Sequence, residues 1–183
     1  MVCDMNFHGS YLTGLSFHSN ECQYVVVTEA RIDDVDIAVA AWHEDGRWSL
    51  SQLPDAQDLP GIIDRLKSLQ TNGGAIALLA IDEEFFMVIR VLGSHIKMLL
   101  SDVTCALDYD VASEFLELCD LDTPEEDEEP LPVGHLDILS DLGVNQMEIA
   151  TLCDDAELFP DEQLEAIASR LGFGEQFTEL LEL

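Results

Sequence analysis

Basic residues are scarce in this 183-residue chain: seven Lys and Arg stand against 38 Asp and Glu, a formal net charge of −31. The imbalance steepens along the chain. Residues 1–97 hold 14 acids and six bases, whereas residues 98–183 hold 24 acids and a single base, Arg170. A surface of this sign repels phosphodiester backbones and anionic membranes, so neither direct nucleic-acid binding nor membrane attachment is expected. Long hydrophobic runs are missing as well. The longest, Ala75–Ile81 and Phe85–Ile89, are strand-sized and far short of the ~20 residues that span a bilayer. Cysteines are few and scattered: Cys3, Cys22, Cys105, Cys119 and Cys153, an odd number with no C-x-x-C. That favours reduced thiols in a cytoplasmic protein over a disulfide framework. The N-terminus has no basic stretch followed by a continuous apolar one, so no secretory leader is expected.

Recognisable reaction chemistry is also absent. The histidines His8, His18, His43, His95 and His135 do not pair with one another or with Cys at zinc-ligand spacing. No P-loop, G-x-G-x-x-G or G-x-S-x-G occurs. Asp120–Glu129 is dense in acid but lacks the central glycine of a calcium loop. No catalytic residue, metal or cofactor is therefore expected. An enzyme of unknown class remains an alternative, because catalytic groups can be assembled from distant residues.

What is present is an ordinary apolar content of 48%, enough for one good core in a chain of this length. Residues 1–23 mix Gly, Ser, Asn and isolated aromatics without period and read as a poorly ordered tail; Tyr24–Thr28 reads as an extra edge strand. From Val35 onward, Val35, Ile37, Val39 and Ala41 alternate at strand period. Asp45-Gly46 then separates two strand-like runs, the strongest short-range hairpin signal. Trp42 and Trp48 flank this turn and are expected to pack across it, with an exposed aromatic docking patch as the alternative. Residues 58–71 read as a helix with Asp58 as N-cap, Pro60 in the first turn and Ile62, Leu66 and Leu69 on one face. Ala75–Ile81 suits a strand covered on both faces. After the turn Asp82-Glu83-Glu84 come strands Phe85–Leu92 and His95–Leu100, joined by Gly93-Ser94. A helix from Tyr109 to Cys119, capped by Asp108, shows Val111, Phe115 and Leu118 on one side.

The expected class is α+β: a mainly antiparallel five-stranded sheet in the order ββαβββα, shared by profilin-like and roadblock-like domains, with helices packed on it. The expected division is a tail over 1–23, a sheet domain over 24–119, an acidic linker over 120–132 and a small helical region over 133–183. Asp120–Glu129 carries seven acids and one proline and reads as a solvated, self-repelling linker. Beyond it, Leu136, Leu139 and Leu142, then Met147, Ile149 and Leu152, then Leu164, Ile167 and Leu171, form short apolar faces interrupted by Gly143 and Gly172.

Two places are candidates for function. Glu125, Glu126, Asp127, Glu128 and Glu129 form an acidic run that serves solubility or meets a basic partner. Ser101, Asp102 and Thr104 cluster where a strand meets a loop. Hydrogen bonding to nearby backbone is the commoner use of such a cluster, and a ligand loop is the alternative.

Several stretches carry a resemblance. They are Trp42-His43-Glu44-Asp45-Gly46-Arg47-Trp48, the Asp82-Glu83-Glu84-Phe85-Phe86 corner, Leu99–Thr104, Leu131–Gly134, Leu136–Gly143, Phe159–Glu162 and Arg170–Gly174. In this order around the acidic run they resemble the actinobacterial family of tRNA adenosine deaminase-associated proteins, over about Val35 to Leu183. The resemblance implies an accessory protein whose partner is the deaminase, and it carries no catalytic residues to transfer. The chain is not itself the deaminase: the H-x-E and P-C-x-x-C pair that holds zinc and places the general acid is missing. The alternative function is a sensor or small-ligand module built on the sheet.

Overall fold

A computed structural model describes residues 35–54, 58–69 and 73–182. The expected tail over 1–23 and the expected strand Tyr24–Thr28 lie outside the described residues.

The expected ββαβββα order is present, and a sixth strand is added. The strands are β1 (Val35–Glu44), β2 (Arg47–Gln52), β3 (Ala75–Ile81), β4 (Phe85–Leu92), β5 (His95–Leu100) and β6 (Val133–Gly134). They form one antiparallel sheet in the order β2-β1-β3-β4-β5-β6. The helices are α1 (Leu59–Ser68), α2 (Asp110–Cys119), α3 (Gln146–Cys153), α4 (Pro160–Leu171) and α5 (Gly174–Leu181).

The hairpins follow from local chemistry. At the β1–β2 turn both Asp45 and Gly46 have positive φ, as a two-residue turn matched to strand twist requires. At β4–β5, Gly93 supplies the single positive φ, and Leu92 pairs with His95. The turn at Asp45 and Gly46 corrects the expected tryptophan pair. Glu44 opposite Arg47 sets a register in which Trp48 faces His43, and Trp42 faces Ser49. An offset of one residue changes face. Trp42 therefore packs with α1 and α2 on one side of the sheet, and Trp48 with α4 and α5 on the other.

Strand β3 is buried along its whole length, as its apolar run requires. Its alternate side chains feed two separate cores. Ala77, Leu79 and Ile81 join Met87 and Ile89 of β4 under Leu59, Ile62 and Leu66 of α1 and Val111 and Phe115 of α2. Ile76, Leu78 and Ala80 join Phe86 and Val88 beneath Ile149 of α3, Leu164 and Ile167 of α4, and Phe177 of α5. The sheet thus lies between two helical layers, one inserted among the strands and one from the C-terminal third. Helices this short are marginal alone and persist because the sheet covers their apolar faces.

Several side chains stand differently from their expected places. Tyr109, and not Asp108, caps α2, because Asp102 opens a 3-10 helix over Val103–Leu107 that carries the chain to Tyr109. Leu116 takes the buried position expected for Leu118, which is about half exposed. Met147 is exposed at the start of α3. Asp58 occupies the N-cap of α1 without a side-chain cap bond; the Leu59 amide donates instead to Glu114 Oε2 of α2 at 3.2 Å.

The C-terminal layer is pinned to the sheet by polar contacts as well as by packing. Arg90 of β4 and Lys97 of β5 are cross-strand partners. Arg90 is buried; its guanidinium makes two hydrogen bonds to the Asp141 carboxylate and donates to the Ile138 carbonyl at 2.8 Å. Lys97 Nζ meets Asp137 Oδ2 at 2.7 Å. At the far edge, Trp48 Nε1 donates to the Leu171 carbonyl at 3.0 Å, and its ring lies 4.7 Å from that of Phe173.

Candidate functional site

At the end of the sheet where β3 turns into β4 and β5 terminates, the α3–α4 connection stands off the strand ends and leaves an opening. The opening is a cleft of about 580 Å³. Five chain segments wall it. The β3–β4 corner contributes Glu83 and Glu84, and the end of β5 contributes Ser101 and Asp102. Pro130–Pro132 close a third side, the α3–α4 connection supplies Asp154, Asp155 and Phe159, and α4 supplies Gln163.

The polar residues at the base are held by the fold. The buried Ser101 Oγ accepts a hydrogen bond from the Phe86 amide at 2.9 Å, tying β5 to the start of β4. Asp102 Oδ1 accepts from the Thr104 amide at 2.8 Å and from Thr104 Oγ1 at 2.7 Å. This is the N-cap of the 3-10 helix, the backbone-shaping use of such residues. Ser101 and Asp102 line the cleft, whereas Thr104 does not. Gln163 Nε2 donates to the carbonyls of Leu152 at 2.7 Å and Asp155 at 3.3 Å, fixing the α3–α4 connection.

The rim is acidic. Glu83, Glu84, Asp102, Asp154 and Asp155 face the cleft, and no Lys or Arg lines it. The wall segment Pro130–Pro132 continues directly from Glu125–Glu129, all five of which are exposed. Acidic run and acidic cleft are therefore neighbours, joined through the chain. Most of the described cations are engaged elsewhere, Lys67 with Asp64, Arg90 with Asp141, Lys97 with Asp137 and, at 3.9 Å, Arg170 with Glu148.

Two thiols near the cleft respond to this environment. Burial, reinforced by Asp102 and Glu84, pushes Cys105 up to about 12. Burial, reinforced by Asp154, pushes Cys153 up to about 12. Both stay protonated at neutral pH and are poor nucleophiles. Among the described residues no group of three His, Cys, Asp or Glu side chains converges to hold a metal ion. No helix among the described residues is long and apolar enough to cross a membrane. What the arrangement offers is a negatively charged recess beside a negatively charged strand of chain. Such a surface attracts cationic groups and repels phosphates.

Sequence reasoning placed Ser101 and Asp102 at a strand end, but Glu83 and Glu84 had only the signature of a turn. Asp154, Asp155 and Phe159 stand far away in the chain, and nothing local points to the cleft they complete.

No solved structure matches this chain. The chain is 38% identical over 149 residues to Protein Rv3753c of Mycobacterium tuberculosis, covering 79% of this chain and 86% of that protein. The profile of the Rv3753c-like tRNA adenosine deaminase-associated proteins matches residues 36–174, from the first strand into the last helix. The sheet from residue 36, helices α1 to α4 and the acidic cleft lie within the matched span, and the chain belongs to the Rv3753c-like tRNA adenosine deaminase-associated protein family.

Proposed function

We propose that this protein is a non-catalytic partner of a tRNA adenosine deaminase and engages the enzyme through its acidic face. The observation that carries the reading is the continuity of Glu125–Glu129 with the cleft edged by Glu83, Glu84, Asp102, Asp154 and Asp155, without a cation in the lining. An enzyme that binds tRNA needs a basic surface to neutralise phosphates. Opposite fields steer two such proteins together and set their orientation. The acidic face would then either stabilise the enzyme or occupy its tRNA surface until tRNA displaces it.

The test is calorimetric titration of the deaminase with the native chain and with a chain in which Glu125, Glu126, Glu128 and Glu129 are Gln and Asp127 is Asn. The reading expects weaker binding by the neutralised chain and a smaller dependence on salt. Equal affinities would remove the acidic run from the interface.

A second reading rests on the cleft alone. Its volume falls in the range of about 300–1,000 Å³ usual for small-ligand sites, and on this reading the sheet end is a sensor for a small cationic ligand. Titration with polyamines, followed through the amides of Ser101 and Asp102, separates the two: saturable shifts there favour the sensor.

A further inference from the structure

The face of the sheet covered by α1 and α2 is not completely closed. Ile96, Met98 and Leu100 of β5 point to that face; Leu100 and Met98 are buried, but Ile96, nearest the β4–β5 turn, is 38% exposed. The helices run out before they reach it. The result is an apolar groove of about 480 Å³, with Ile96 and Met98 among its lining residues, Ile63 on the α1 side, Leu118 and Leu121 at the end of α2, and His135 at the sheet edge. Leu118 and Leu121 are 48% and 40% exposed, so adjacent large apolar side chains open to solvent here. Along the same border β6 pairs with Leu99 and Leu100, and the His135 amide donates to the Met98 carbonyl at 2.8 Å.

We propose that this groove is a second docking surface and that it takes an amphipathic segment of a protein partner, apolar on one side and flanked by Lys or Arg. The apolar lining sets the first property. The charge around the α2 end sets the second. Glu117, Asp120 and Asp122, all exposed, flank Leu118 and Leu121 in the chain, and the negative end of the α2 dipole lies at the same place. On the opposite side Lys67 is already held by Asp64. A second copy of this chain is the wrong occupant: two molecules each carrying −31 repel, and a handful of half-exposed side chains buries too little to offset that. Helix-in-groove docking needs only a few such anchors when the flanking charges are complementary.

The inference rests on the proposed association for its partner, and one experiment distinguishes their failures. The full chain, with Ile, Leu and Met methyls labelled with carbon-13, is titrated with the same organism's tRNA adenosine deaminase and followed by NMR. Affinities are measured in parallel for Leu118→Glu, for Leu118→Ala and for the control Met147→Glu on α3. Expected are shifts at the methyls of Ile63, Ile96 and Met98, a loss of about tenfold or more for Leu118→Glu with a smaller loss for Leu118→Ala, and a change within about twofold for Met147→Glu. Unchanged binding by both Leu118 variants overturns the groove while leaving the acidic face intact. No binding by the native chain removes both. Groove methyls that move with the concentration of the protein alone, or that contact residues 1–34 in the free chain, make the occupant a second copy or the chain's own N-terminal segment and overturn the proposal.

Discussion

Replacing Asp141 by Ala should loosen the C-terminal layer from the sheet, and the structure bounds the size of the effect. The side chain of Arg90 is 5% exposed and that of Asp141 is 60% exposed. Fully exposed pairs contribute at most about 1 kcal/mol. Removing one partner from a buried pair costs about 3–5 kcal/mol, because the other charge is left desolvated. In the variant Arg90 would keep the Ile138 carbonyl, and water reaches the Asp141 side, so the loss belongs between these limits, about 2 kcal/mol. For a chain of this size that lowers the melting temperature by about 4–8 °C. Arg90→Met should cost less, since the buried charge leaves together with the contact. The pH dependence has a definite sign. The hydrogen bond from Arg90 holds the Asp141 carboxyl below its ordinary value of 3.8. Its contribution is complete above that value and is lost as pH falls through the lower folded-state value. The stability gap between native chain and Asp141→Asn, measured by urea unfolding, should therefore be flat from neutrality down to pH 3.8 and close below it. An unchanged melting temperature for Asp141→Ala, or a gap that persists undiminished well below that pH, would refute the assigned role of the pair.

Gly134→Ala should be strongly destabilising, by about 3 kcal/mol, because Gly134 has φ +95° and an added Cβ would overlap the Met98 carbonyl oxygen and press on Phe115 at 2.9 Å. Denaturant midpoints measure it, and a loss under about 1 kcal/mol would mean the β6 crossing relaxes freely. Asp102→Asn should remove a negative charge that helps raise Cys105, so that thiol should titrate lower and react faster with a disulfide reagent, while Cys153 is unaffected. An unaltered Cys105 rate would show that Asp102 does not help to set its value.

The features that were readable from sequence are those governed by neighbours in the chain. Asp45-Gly46 and Gly93-Ser94 specify their turns through the φ values these residues tolerate, and β3 announces its two-sided burial by an unbroken apolar run. Gly143 and Gly172 end their helical segments in the left-handed region, as helix-terminating glycines do. The features that were not readable depend on partners distant in sequence. Strand β6 is two residues long, too short to show a period, and exists because β5 has a free edge there. The α2 cap moved from Asp108 to Tyr109 because Asp102 and Thr104 had already organised a 3-10 helix. Trp48 belongs with Leu171 and Phe173, 123 residues away in the hydrogen bond it makes. The cleft is the extreme case, since its carboxylates run from Glu83 to Asp155 and come together only when the α3–α4 connection meets that end of the sheet.

Size-exclusion chromatography with light scattering, mixing the full chain with the same organism's tRNA adenosine deaminase at low and at moderate salt, tests the partnership most directly. A single complex is expected at low salt, with a mass matching the two chains together, that dissociates progressively as salt screens the acidic face. Two separate peaks at low salt would contradict a direct partnership, and a complex indifferent to salt would contradict the acidic face as its basis.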